Sequence, residues 1–166
     1  MTKYQTITHP LRPLYQADSK ILILGSFPSV KTREYGFFYG HPQNRFWPLM
    51  EKIFDMKLSI DIEERKSFLL ANHIAMYDVI YQCDIIGSSD ASIQNVVPSD
   101  LSSILNLADI RQVFCNGGTA TRYYRKYQEQ RTGLKAIQLP STSPTNARFS
   151  MDDLVERWKV IRGYSS

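Results

Sequence analysis

The sequence is poor in the residues that metal and redox chemistry need. Its 166 residues include two cysteines, Cys83 and Cys115, and three scattered histidines, His9, His41 and His73. Two cysteines cannot build a disulfide framework, a four-cysteine zinc site or an all-cysteine iron–sulfur cluster, so both read as small buried thiols. Neither a metal nor a cofactor is expected. No run approaches the roughly 18 consecutive apolar residues of a membrane-spanning helix, and Met1 to Tyr15 has no apolar stretch like that of a signal peptide, so a soluble cytoplasmic protein is expected. Motifs are missing too. Without a G-x-x-x-x-G-K-[ST] loop, a G-x-G-x-x-G turn or a G-x-S-x-G elbow, kinase, dehydrogenase and serine-hydrolase readings lose support.

What is present is a chain 43% hydrophobic and 22% charged, the profile of one globular domain over residues 1–166, with no internal repeat or linker. Twenty basic residues against 16 acidic ones give a net charge of +4, which permits a polyanionic partner without requiring one. Lys20 to Gly25 is a short apolar run ending in glycine, the mark of a strand buried on both faces. Ile74 to Ile80, Ile110 to Cys115 and Leu134 to Leu139 supply three more strands. Ser26 to Gln43 reads as a long loop without helical period. Helical spacing appears over Asn44 to Phe54, from the Asp61-x-x-Glu64 capping box to Ala71, over Leu101 to Leu107, over Thr119 to Arg131 and over Met151 to Ile161. This alternation predicts an α/β fold: three layers, with a central four-stranded, mostly parallel sheet between helices.

Ligands of open parallel sheets sit beyond the carboxyl ends of the strands. The segments there are Gly25 to Ser29, Asp78 and its successors, Asn116-Gly117-Gly118, and Pro140 to Asn146. They are rich in Ser, Asn, Gly and Pro, which suits neutral hydrogen bonding and positioning more than a charged acid–base pair.

Tyr35-Gly36-Phe37-Phe38-Tyr39-Gly40-His41-Pro42-Gln43-Asn44-Arg45-Phe46-Trp47 is the most distinctive segment. With Gly25-Ser26-Phe27-Pro28-Ser29 before it and Leu139-Pro140-Ser141-Thr142-Ser143-Pro144 after it, it resembles the uracil-DNA glycosylase superfamily. The mismatch-specific branch carries a His-Pro-x-Asn-Arg-Phe-Trp segment at this place, and the hypoxanthine-DNA glycosylases are the most similar subgroup. The likeness covers roughly residues 20 to 150 and implies a uracil-DNA glycosylase-like fold, a DNA partner carrying deaminated bases, and hydrolysis of the N-glycosidic bond of a base flipped out of the duplex. A monomer is expected.

The resemblance also implies roles. Tyr39 stands where relatives stack the extruded base. Many relatives hold the attacking water with an Asp or Asn where this chain has Phe27, and Asn44 is the substitute the hypoxanthine subgroup points to; as a helix cap it would serve structure alone. Backbone N–H groups of Ser26 and Phe27 would face the base. Asp78 would accept from N1–H of hypoxanthine or N3–H of uracil, or else cap or pair with an arginine; Asn116 is a candidate of the same kind or a turn residue. Ser141, Ser143 and Arg148, with Arg45, would hold the DNA, Arg148 being otherwise a solvated loop charge. Arg122, Arg125 and Lys126 form a helix surface or a DNA track. A DNA-binding module without catalysis and a small-nucleoside hydrolase are the alternative readings.

Overall fold

The computed structural model describes residues 3–166. A polar strand, β1 (Gln5–Thr8), precedes β2 (Ile21–Gly25), all five of whose residues are buried. Helix α1 (Val30–Tyr35) is capped by the Ser29 hydroxyl, which accepts from Thr32 N–H. Helix α2 (Phe46–Phe54) buries Phe46, Trp47, Leu49, Met50 and Ile53, and α3 (Ile62–Ala71) starts where the Asp61 carboxylate accepts from Glu64 N–H. Only Val79 separates β3 (Ile74–Asp78) from β4 (Ile80–Ile85), and a 3-10 turn at Asp90–Ser92 leads to β5 (Gln94–Pro98). Then come α4 (Ser102–Leu107), β6 (Gln112–Asn116), α5 (Gly118–Tyr127), α6 (Glu129–Thr132) and β7 (Ala136–Leu139). Helices α7 (Met151–Trp158), opened by a Ser150–Asp153 capping box, and α8 (Val160–Ser165) close the chain.

The main sheet has the order β3-β2-β6-β7 with every pair parallel, as the alternation predicts, and helices flank it. Apolar β-branched and leucine side chains in β2 and β3 meet no water on either face, which is why these strands read as continuous hydrophobic runs rather than alternating ones. From β2 the chain builds outward to β3 on one side and later to β6 and β7 on the other. The order therefore reverses beside the carboxyl end of β2, where such sheets open a crevice.

Three features depart from the sequence reading. A second, antiparallel sheet, β1-β4-β5, is present. Its alternation is hidden because β1 is polar and both β1 and β5 are mostly exposed, while irregular pairing between Ile80 and Asp84 breaks the period of two in β4. The segment after β2 is not all loop, since Ser29 nucleates α1. Thr119 to Arg131 is two helices, α5 and α6, divided at Gln128, whose buried side chain donates to the carbonyls of Ser99 (2.7 Å) and Val79 (3.3 Å). Cys83 and Cys115 are buried free thiols. Burial pushes their pKa values up, to about 11 for Cys83 and about 12 for Cys115.

Candidate active site at the carboxyl ends of the parallel strands

Gly25, Asp78 and Asn116, the last residues of β2, β3 and β6, face one cleft of about 1220 Å³, and Pro140, directly after β7, faces it too. Ser26, Phe27, Tyr39, Asn44, Ser141 and Ser143 line the same cleft, so residues up to 117 positions apart converge as the motif comparison implies. Arg148 does not line it. It is exposed in the turn after Asn146.

Asp78 is buried at 5% exposure, and its partner is one that the sequence pattern does not announce. His9, 69 residues earlier, brings Nε2 to 2.7 Å from Asp78 Oδ2. Leu11 N–H donates to His9 Nδ1 at 3.1 Å, so that nitrogen carries the lone pair and Nε2–H is the donor to the carboxylate. This replaces the arginine pairing considered for Asp78. Oδ2 is held; Oδ1 lies over Gly25, where an added Cβ would sit 2.5 Å from it and 3.1 Å from the Tyr39 hydroxyl. Glycine at 25 is thus the space into which a carboxylate and a phenol are both lowered.

Tyr39 has a left-handed backbone (φ 55°), and its ring stacks on Phe46, centroids 4.3 Å apart at 19°. Phe46 covers one face of the ring, and Tyr39 lines the cleft. The hydroxyl is buried with no hydrogen-bond partner among the described residues. Burial first, then the Asp78 charge, drive the phenol pKa far upward, so this group remains a donor. Phe37 and Phe38 are core residues at 3% and 2% exposure. Phe27 packs edge-to-face on His9 at 5.8 Å and gives the cleft an apolar wall with no means of holding water.

Asn44, Thr142 and Asn116 hold one another in a run of neutral hydrogen bonds. The N-cap of α2 is Arg45, one residue beyond the expected Asn44; Asn44 Oδ1 accepts from Phe46 N–H at 2.9 Å in a turn just before the helix, and it also accepts from the Thr142 hydroxyl at 2.8 Å. Thr142, 0% exposed, in turn receives Asn116 Nδ2 at 3.0 Å and returns its own N–H to Asn116 Oδ1 at 3.0 Å. Asn116 therefore works as a strut between β6 and the Pro140 to Phe149 loop as well as a cleft residue. Gly117 beside it has φ 93° and ψ 170°, a conformation essentially restricted to glycine, and a Cβ there would lie 3.0 Å from that of Ser141.

The loop is held from below by Arg45, whose guanidinium donates to the carbonyls of Phe149, Asn146 (2.8 Å) and Ser143 (3.3 Å). Arg45 is consequently a staple of the loop and not a free DNA contact. Ser141 Oγ accepts from Ser143 N–H at 3.1 Å, and the Ser143 hydroxyl is shared with Thr145 at 2.9 Å. Nor is the cleft the neutral pocket its Ser- and Asn-rich loops imply, because Asp90 joins Asp78 on its walls. Ser26 Oγ donates to Asp90 Oδ1 at 3.2 Å, so the Ser26 side chain is engaged there. Protein crowding around the Asp90 carboxyl raises its pKa, although the residue keeps open surface. Among the described residues no cluster of three or more His, Cys, Asp and Glu has the geometry of a metal site, and no helix is long and apolar enough to cross a membrane.

The strand-end crevice brings together the Tyr39 ring, the Asp78 carboxylate and the Asn44 amide. The profile of the uracil DNA glycosylase superfamily covers residues 12–162, and the chain belongs to that superfamily. It is 30% identical over 146 residues to a hypoxanthine DNA glycosylase of Methanosarcina acetivorans, covering 87% of this chain and 90% of that one. A hypoxanthine DNA glycosylase of Methanosarcina barkeri is 32% identical over 116 residues, 67% of this chain and 72% of the relative. The solution NMR structure of a Methanosarcina acetivorans protein described as a uracil DNA glycosylase superposes with a TM-score of 0.80 at 26% identity, over 97% of this chain and 99% of the other.

Proposed function

We infer that the protein is a monofunctional DNA glycosylase of base-excision repair that hydrolyses the N-glycosidic bond of hypoxanthine in DNA, with uracil as a second substrate. The observation that carries this reading is the free Asp78 Oδ1 beside the Tyr39 ring at the floor of the cleft. It is supported by the two hypoxanthine DNA glycosylases that align with most of the chain.

A base inside the duplex is out of reach, so the nucleotide is extruded and its base laid on Tyr39, a stacking worth about 1–3 kcal/mol. Asp78 Oδ1 then accepts from N1–H of hypoxanthine, or from N3–H of uracil. Adenine presents a lone pair at N1 where hypoxanthine presents a proton, so a carboxylate acceptor reads the product of deamination and rejects the parent base. Guanine shares N1–H but adds a 2-amino group, and the His9 Nε2–H already bonded to Oδ2 competes with that group for the carboxylate.

Asn44 is the catalytic residue at the sugar–base bond. Lys31, on the rim, is 59% exposed and pairs with Glu34 at 3.7 Å, unlike a desolvated Schiff-base lysine, so the enzyme hydrolyses and does not cut the strand. Ser141, Ser143 and Arg148 contact phosphates, and Arg148 fills the gap left in the stack. The protein acts as a cytoplasmic monomer.

Incubation with labelled duplexes carrying inosine or uracil opposite each normal base, followed by alkaline heating, tests this. Cleavage at inosine above all is expected. No product from any lesion despite measurable DNA affinity would replace the enzyme with a binding module, and faster turnover of free inosine would make it a nucleoside hydrolase.

A further inference from the structure

An asparagine side chain has one acceptor oxygen with two lone pairs and one NH2 with two donors. At Asn44 both lone pairs are taken, by Phe46 N–H at 2.9 Å and Thr142 Oγ1–H at 2.8 Å. The second bond cannot reverse. Thr142 N–H fixes Asn116 Oδ1 as an acceptor, which turns the Asn116 NH2 toward Thr142 Oγ1, and a hydroxyl that receives this donor sends its single proton on to Asn44. Thr142 is 0% exposed, so no water competes for these positions. What Asn44 has left for the cleft is its NH2.

We propose that Asn44 serves the reaction as a hydrogen-bond donor to the departing base, and that Thr142 is the positioning residue that imposes this polarity. The proposal rests on the reading of Asn44 as catalytic and changes its task. A donor to the attacking water draws on the lone pairs the water needs, whereas a donor to the base meets the charge that develops there. The C1′–N9 bond breaks with both electrons going to the base, and the Asn44 N–H stabilises the negative charge on the purine nitrogens without transferring its proton. Water adds through oxygen to the sugar cation at C1′. The proton it releases ends on the base, giving an abasic sugar and neutral hypoxanthine. The water-holding acceptor that relatives keep at the Phe27 position is thus not transferred to Asn44.

Asn44→Asp separates the two tasks, since it keeps the bonds from Phe46 N–H and Thr142 but removes the donors at neutral pH. Single-turnover excision from inosine DNA is expected to fall about 100-fold or more at about pH 7.5, as deep as in Asn44→Ala, the range for losing one transition-state donor. On acidification the new carboxyl gains an O–H donor. The Asn44→Asp rate relative to wild type at the same pH is then expected to rise about tenfold by about pH 5. An Asn44→Asp variant as fast as wild type at neutral pH, with a ratio that falls on acidification, overturns the donor role. A fully active Asn44→Ala, by contrast, removes Asn44 from catalysis altogether. Thr142→Val is expected to lower the excision rate about tenfold at unchanged lesion affinity, measured below its lowered unfolding temperature, with Thr142→Ser recovering most of it; a Val variant at the wild-type rate overturns the positioning role.

Discussion

The two walls of the cleft are held in opposite ways. Asp78 is a charge, buried and secured by a neutral histidine from the start of the chain, and it presents an acceptor. Asn44 is neutral, secured by a run of hydrogen bonds through Thr142 to Asn116, and it presents a donor. Each device removes the freedom that would blur its signal: His9 leaves Asp78 a single oxygen to offer, and Thr142 leaves Asn44 only its NH2. Recognition of a deaminated base needs an acceptor for its new N–H, and departure of that base needs a donor for its new charge. Under the proposed function, one wall reads and the other reacts.

The division is testable in order of expected effect. Asn44→Ala should lower single-turnover excision of hypoxanthine by about two to three orders of magnitude while lesion-DNA affinity stays near wild type. It should also cost about 1 kcal/mol of stability in urea unfolding through the lost bonds to Phe46 N–H and Thr142. Asp78→Ala should cost about 1.5–3 kcal/mol of transition-state binding, or roughly 10- to 150-fold in kcat/KM, most of it in discrimination against adenine. His9→Phe should weaken stability by about 1.5–3 kcal/mol and narrow the preference for hypoxanthine over guanine, measured on matched duplexes, because Asp78 Oδ2 is released. Tyr39→Leu should lower affinity for inosine DNA by about 1–3 kcal/mol in a titration, with a smaller change in the rate constant at saturation. Least affected of all should be the thiols. With their pKa values raised to about 11 and 12, Cys83 and Cys115 hold almost no thiolate at pH 8, so iodoacetamide should label neither until the protein unfolds.

The parallel sheet was legible because its strands are buried on both faces and read as apolar runs, and the cleft followed from it, since ligands gather at strand carboxyl ends. That Tyr39 and Asn44 line the cleft was legible through the segment that carries them, and that Asp78 does through its place at the end of a strand. The partners were not. His9 lies 69 residues from Asp78 and Thr142 lies 98 from Asn44, and neither side chain has a local pattern that names its partner. Arg45 shows the same limit in reverse: its place in the motif suggests DNA, but three loop carbonyls converge on its guanidinium. Long-range pairing also explains the missed second sheet, whose strands β1 and β4 bond across more than 70 residues with little apolar alternation.

The division of labour is tested most directly by one measurement: single-turnover excision of hypoxanthine from a duplex, as a function of enzyme concentration, for wild type, Asn44→Ala and Asp78→Ala side by side. The account predicts that Asn44→Ala lowers the plateau rate and leaves the half-saturating concentration unchanged, while Asp78→Ala shifts the preference for hypoxanthine over adenine far more than Asn44→Ala does. An Asn44→Ala plateau at the wild-type rate, or undiminished discrimination in Asp78→Ala, would contradict it.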